Sequence, residues 1–175
     1  MVEILLASLR HHQHGGVVDV ATFGSQTLAN LLHLHKNNTA AAAAGGGAEL
    51  MLSLIKQHPT HHQIPSLALG ALVNMCTTAA GTRAVKRASL DTGDANLVAI
   101  VRVLDMHEGN TDMLNYGCLL LFRTTQHDSQ RLHQLKAVKG VKDLEKLVGS
   151  WLKASRGTGG INYCNLLLHT AKSRD

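Results

Sequence analysis

The 175-residue chain has few aromatic rings, little proline and little charge. One Trp, two Tyr and two Phe are too few for the ring-rich cores of β-sandwiches and barrels, or for a base-stacking platform. Two prolines are likewise too few for the many turns those folds need. Only 17% of residues are charged while 45% are hydrophobic, which excludes a disordered polyelectrolyte. The longest apolar runs, Cys118 to Phe122 and Ala40 to Ala44, fall far short of the roughly 18–20 residues of a membrane span. The opening MVEILLASLR lacks a basic region, a cleavage site and the Met-Gly start of a lipidated chain. Three cysteines, Cys76, Cys118 and Cys164, are odd in number, far apart and set in leucine-rich stretches. They read as reduced, buried thiols of a cytoplasmic or nuclear protein. An all-helical protein remains.

What is present is internal repetition. Gly-x3-apolar-x2-apolar-apolar occurs at Gly47, Met51, Leu54, Ile55, at Gly93, Leu97, Ile100, Val101, and at Gly140, Leu144, Leu147, Val148. The glycines are 46 and 47 residues apart. Val2, Leu5 and Leu6 keep the last three positions of an earlier copy. A second pattern sets a small residue (Thr27, Ala71, Cys118, Cys164) ahead of the anchors Asn30, Asn74, Leu121 and Leu167, which are 44, 47 and 46 apart. Two patterns sharing one period of 44–47 residues mark an α-solenoid, whose units stack because none buries its apolar face alone.

The units run over about 1–38, 39–79, 80–127 and 128–175, forming a single repeat domain over 1–175. Helices are expected at 2–11, 17–36, 48–58, 63–78, 80–90, 95–107, 111–126, 129–137, 141–154 and 160–172, with one further turn at Thr39 to Ala44. Pro65 falls in the first turn of its helix, where its missing N–H costs little.

Gly45 to Met75, GGGAELMLSLIKQHPTHHQIPSLALGALVNM, resembles the armadillo repeat family. It carries a Gly-x-x-x-Leu-x-x-Leu-Leu-like second helix, then Ala-Leu-x-Asn-Leu-like residues on a third; GSQTLANLLHLHKNN, Gly24 to Asn38, resembles the third helix of a preceding unit. The short extra helices at Gly81–Leu90 and Ser129–Ala137 separate this reading from a two-helix HEAT solenoid. The resemblance spans nearly the whole chain. It implies a right-handed superhelix of three-helix units, with third helices lining a groove for extended peptides or partner proteins. In peptide-binding members an Asn ladder on those helices holds the ligand backbone, with Trp one turn earlier. Asn30 and Asn74 match the ladder, while Leu121 and Leu167 do not. Gln26, Gly70, Gly117 and Tyr163 stand at the Trp positions, and the one tryptophan, Trp151, reads as core. The half-kept ladder and the net charge of +5 argue against a nuclear-import type of cargo.

The resemblance places the partner-binding face on Gln26, Asn30, His33, Asn74, Thr77, Thr124 and Tyr163. Twelve histidines include His11, His12 and His14, and also His58, His61 and His62, but few carboxylates and no Cys lie near them in sequence, so no metal is expected. Gly45–Gly47 and Gly157–Gly160 lack the residues of a phosphate-binding loop, and Lys86-Arg87-Ala88-Ser89 matches a phosphorylation pattern common by chance. Without a nucleophile–base constellation the chain reads as no enzyme, with no cofactor. The function expected is a protein-interaction module or scaffold for a peptide or partner protein, acidic partners included. Arg83, Lys86 and Arg87, with Arg131, Lys136, Lys139, Lys142, Lys146, Lys153, Lys172 and Arg174, support the alternative of a basic solenoid for nucleic acid. A further alternative is a structural subunit of a larger assembly. There the stripe Val2, Leu5, Leu6, Leu9 would lie partly uncovered and could join a homo-oligomer or a longer array.

Overall fold

A computed structural model describes residues 1–13, 17–90, 95–137, 144–154 and 163–172. Among the described residues the chain is all helix, with no strand. In order the helices are α1 (Val2–Gln13), α2 (Val18–Leu32), α3 (Lys36–Ala44), α4 (Gly47–Gln57), α5 (Ile64–Met75), α6 (Ala79–Leu90), α7 (Ala95–Met106), α8 (Thr111–Thr125), α9 (Ser129–Lys136), α10 (Leu144–Ala154) and α11 (Tyr163–Lys172). The glycine loop at Gly157–Gly160, together with Gly93, Gly140, His14, Lys139, Lys142 and Arg174, lies outside the described residues.

The end of α2 and the start of α3 differ from the sequence expectation for one reason. α2 stops at Leu32 because Leu34 takes the left-handed conformation, φ 59°, which a helix cannot pass through. The chain then restarts as α3, a full nine-residue helix where only a turn was expected. Its alanines have high helix propensity. The side-chain amide of Asn38 donates to the Leu31 carbonyl at 2.7 Å and ties α3 to the end of α2.

The expected stripes are inside. Met51, Leu54 and Ile55 of α4 and Leu97, Ile100 and Val101 of α7 are buried, as is Val148 of α10 beside half-buried Leu147. Helices three apart in order pack together: α2 on α5, α5 on α8, α8 on α11, α1 on α4, α4 on α7, and α3 on α6. Two glycines admit close approach between consecutive helices. A Cβ added at Gly24 of α2 would meet Leu9 of α1 at 2.4 Å, and one at Gly117 of α8 would meet Leu104 of α7 at 2.3 Å. Trp151 is fully buried, as expected.

Three expectations need correction. Cys118 and Cys164 form a disulfide between α8 and α11, so they are not reduced thiols, and the thiol argument for a cytoplasmic or nuclear setting falls away. The stripe on α1 is covered: Val2, Leu6 and Leu9 are buried and Leu5 half-buried, since α1 packs on α2, α3 and α4. Met1 and Ile4 are the exposed large apolar residues there. Thr27 does not mediate a close helix approach as Ala71, Cys118 and Cys164 do. It is exposed, its hydroxyl donating to the Phe23 carbonyl at 2.7 Å.

Candidate groove across α2, α5 and α8

Asp19, Phe23, Gln26 and Asn30 follow one another by three or four residues, so they share one side of α2. All four are exposed, and Phe23 is 64% exposed despite its apolar ring. The first three border a recess of about 580 Å³. α2 contributes Val18, Asp19, Thr22, Phe23 and Gln26; the approach to α5 and its first turns contribute His61, His62, Gln63, Ser66 and Leu67; Asn110 and Asp112 close the side at α8. Two carboxylates and no Lys or Arg line it, so its charge is opposite in sign to that of the whole chain.

The start of α5 is held by a histidine. Gln63, at the N-cap, makes no side-chain cap, and the imidazole Nδ1 of His61 instead accepts from the backbone N–H of Gln63 and Ile64, both at 3.2 Å. That role needs an unprotonated Nδ1. His61 is held below its ordinary pKa, first by partial burial and then by repulsion from His62 and His58. The rings of His61 and His62 stack at 4.7 Å, and His107 Nε2 lies 2.8 Å from the Pro59 carbonyl, fixing the same loop to the end of α7.

The seven residues expected on the binding face divide. Gln26 borders the recess, while Asn30 and His33 are exposed further along α2 and its end. Asn74 is half-buried, and its amide donates to the Ala29 carbonyl at 2.9 Å, which brings α5 against the residue before Asn30. Thr77 is exposed, with its hydroxyl on the Asn74 carbonyl at 2.7 Å. Thr124 is 2% exposed, its hydroxyl bonded to the Leu120 and Leu121 carbonyls, so it does not reach the surface. Tyr163 starts α11, half-buried against the core and away from the recess lining.

Sequence reasoning missed Phe23 and His61. Counting back one helical turn from Gln26 would have found the first; nothing in the sequence marks a histidine that caps from outside the helix. Of the basic cluster, Arg83 is exposed, while Lys86 pairs with Asp128 and Arg87 with Glu49, each at 3.5 Å. Ser89 is buried, its hydroxyl donating to the Val85 carbonyl at 2.7 Å. Among the described residues no group of three His, Cys, Asp or Glu is placed to hold a metal ion, and no helix is long and apolar enough to cross a membrane. No protein-family model, curated protein or solved structure matches this chain.

Proposed function

We propose that this chain is a short armadillo-like α-solenoid that acts as a protein-interaction module and not as an enzyme. On this reading an extended peptide or partner segment lies across α2, α5 and α8. The sequence period and the packing of helices three apart support the solenoid. One observation carries the binding face: a recess of about 580 Å³ edged by the exposed Phe23 ring. Aromatic anchors beside pockets contribute disproportionately to binding. Phe23 takes an apolar side chain of the ligand, and Gln26 and Asn30 bond its backbone.

The test uses peptides selected from a random displayed library on the full chain. Phe23→Ala with Gln26→Ala is expected to weaken their binding about tenfold or more by calorimetry. The urea midpoint should stay unchanged, because both side chains are exposed. Binding that survives the double change removes the groove from the proposal. The nucleic-acid alternative keeps less support, since Lys86 and Arg87 are engaged in ion pairs. RNA binding with a steep salt slope, lost on changing Arg83, Lys86 and Arg87, would revive it.

A further inference from the structure

Three contacts close the row α2, α5, α8, α11, and each carries its own tie. Asn74 of α5 donates to the Ala29 carbonyl of α2, and Arg123 of α8 donates to the Val73 carbonyl of α5, both at 2.9 Å. The last contact instead carries the Cys118–Cys164 disulfide. These cysteines are 46 residues apart, one sequence repeat, so equal positions on successive helices meet. Ala71 occupies the same position on α5 and packs there without a covalent bond.

The surroundings of that bond differ from those of the earlier ties. α4 packs on α1 and α7, and α3 on α6, beside the α2–α5 and α5–α8 contacts. Among the described residues, the extensive contacts of α9–α11 with the rest of the chain all go to α8. α10 packs on α11 within that group. A unit whose extensive described contacts go to one helix opens at lower cost than one packed on three. Both sulfurs are fully buried, so a reductant reaches them only when α11 parts from α8.

We propose that the Cys118–Cys164 disulfide is a redox latch: intact, it keeps α9–α11 docked on α8, and reduction by a small dithiol releases them as a unit while α1–α8 stay folded. In the releasing step a thiolate of the dithiol attacks one sulfur and the other leaves as a thiolate. The second thiol of the reductant then displaces the first cysteine. The protein gains two S–H groups and the reductant becomes a disulfide. Relatching reverses this with a small-molecule disulfide as oxidant. The inference rests on the helix contacts alone and holds whether or not the groove binds a peptide.

The experiment uses the full chain purified without reductant. Alkylation after unfolding is expected to label one cysteine, Cys76, before reduction and all three after it. Hydrogen exchange is then compared between the oxidised chain, the dithiothreitol-treated chain and the Cys118→Ala/Cys164→Ala variant, Ala being the residue at position 71. On reduction, amide protection in α9 and α11 should fall about 30-fold or more, the lower end of what such a crosslink contributes, with α2 and α5 unchanged. Oxidation with glutathione disulfide should restore the protection. Three labelled cysteines before reduction, unchanged protection in α11, or a loss spread equally over α2, α5 and α11 each overturns the latch. If the alanine variant does not fold, the reduced wild-type chain decides.

Discussion

The α2–α5 and α8–α11 contacts join helices of the same sequence pattern, yet they are closed differently. In the first, α2 ends in a tight turn: His33 N–H bonds to the Asn30 carbonyl, so the Ala29 carbonyl goes to Asn74. Around it α1, α3 and α4 pack on one another. In the second, a covalent bond stands where α7 and α10 make no extensive contact among the described residues. The packed helix pairs thus differ in what surrounds them: neighbouring helices in the first, a covalent bond in the second.

The largest expected effect separates these two cases directly. Leu72→Ala removes a fully buried side chain from α5 and should cost about 2–5 kcal/mol in one cooperative urea transition. Leu167→Ala, equally buried on α11, should in the reduced chain leave the main transition in place and remove only the protection of α11. An equal loss of global stability for both would erase the distinction.

Glycines sharpen the comparison with opposite signs. Gly117→Ala drives a methyl group to 2.3 Å from Leu104 and should cost about 1–3 kcal/mol by the urea midpoint. Gly70→Ala meets the Tyr116 ring at 3.7 Å, an ordinary contact, so the better helix former should stabilise the chain by up to about 1 kcal/mol. Loss of stability in both would refute this reading of the α8 approach. Asn74→Ala leaves the Ala29 carbonyl without its donor and should cost about 1 kcal/mol in thermal unfolding. That change therefore alters the α2–α5 packing as well as the position expected of a ladder.

The smallest effect is on the cap of α5. The folded chain takes up the His61 proton less readily than the unfolded chain. Above the unfolded value, about 6.5, the cap contributes in full; as pH falls below it, the unfolded state protonates first and the contribution is lost. His58 and His62 share the loop with His61, and Asp19 and Asp112 lie across the recess. His61→Asn keeps an acceptor for the α5 amides without titrating. It should flatten the fall in urea midpoint between about pH 7 and about pH 5.5. A slope equal to wild type would show that His61 is not its source.

Helix positions and the buried stripes were legible because Met51, Leu54, Ile55 and their counterparts repeat with helical spacing. The sequence marks only a turn at Thr39 to Ala44, because that run is almost all alanine with no apolar face to count; packing on α6 decides for a full helix. The armadillo resemblance places Thr124 on the groove face. In fact α8 is covered by α5, α7, α9 and α11, which leaves it less free surface than α2. The cysteines misled through their number. The separation that made them look unrelated, 46 residues, is the repeat itself. Of the recess lining only Gln26 was legible as a site residue, on α2 where side chains follow one helix, and none of it at the α4–α5 loop, where backbone geometry places His61.

The carbonyl ties also give the molecule a direction. Ala29 and Val73 lie 44 residues apart at matching helix ends, and each receives its donor from the helix that follows three elements later in the chain. Neither of these two ties runs the other way, so both helix ends are finished by material synthesised after them. A chain stopped after α5 would keep Asn74 on Ala29 and leave Val73 open to water. Shortening from the far end therefore unfinishes the helix before the cut, whereas removing α1 and α2 would leave the Arg123 tie on Val73 intact.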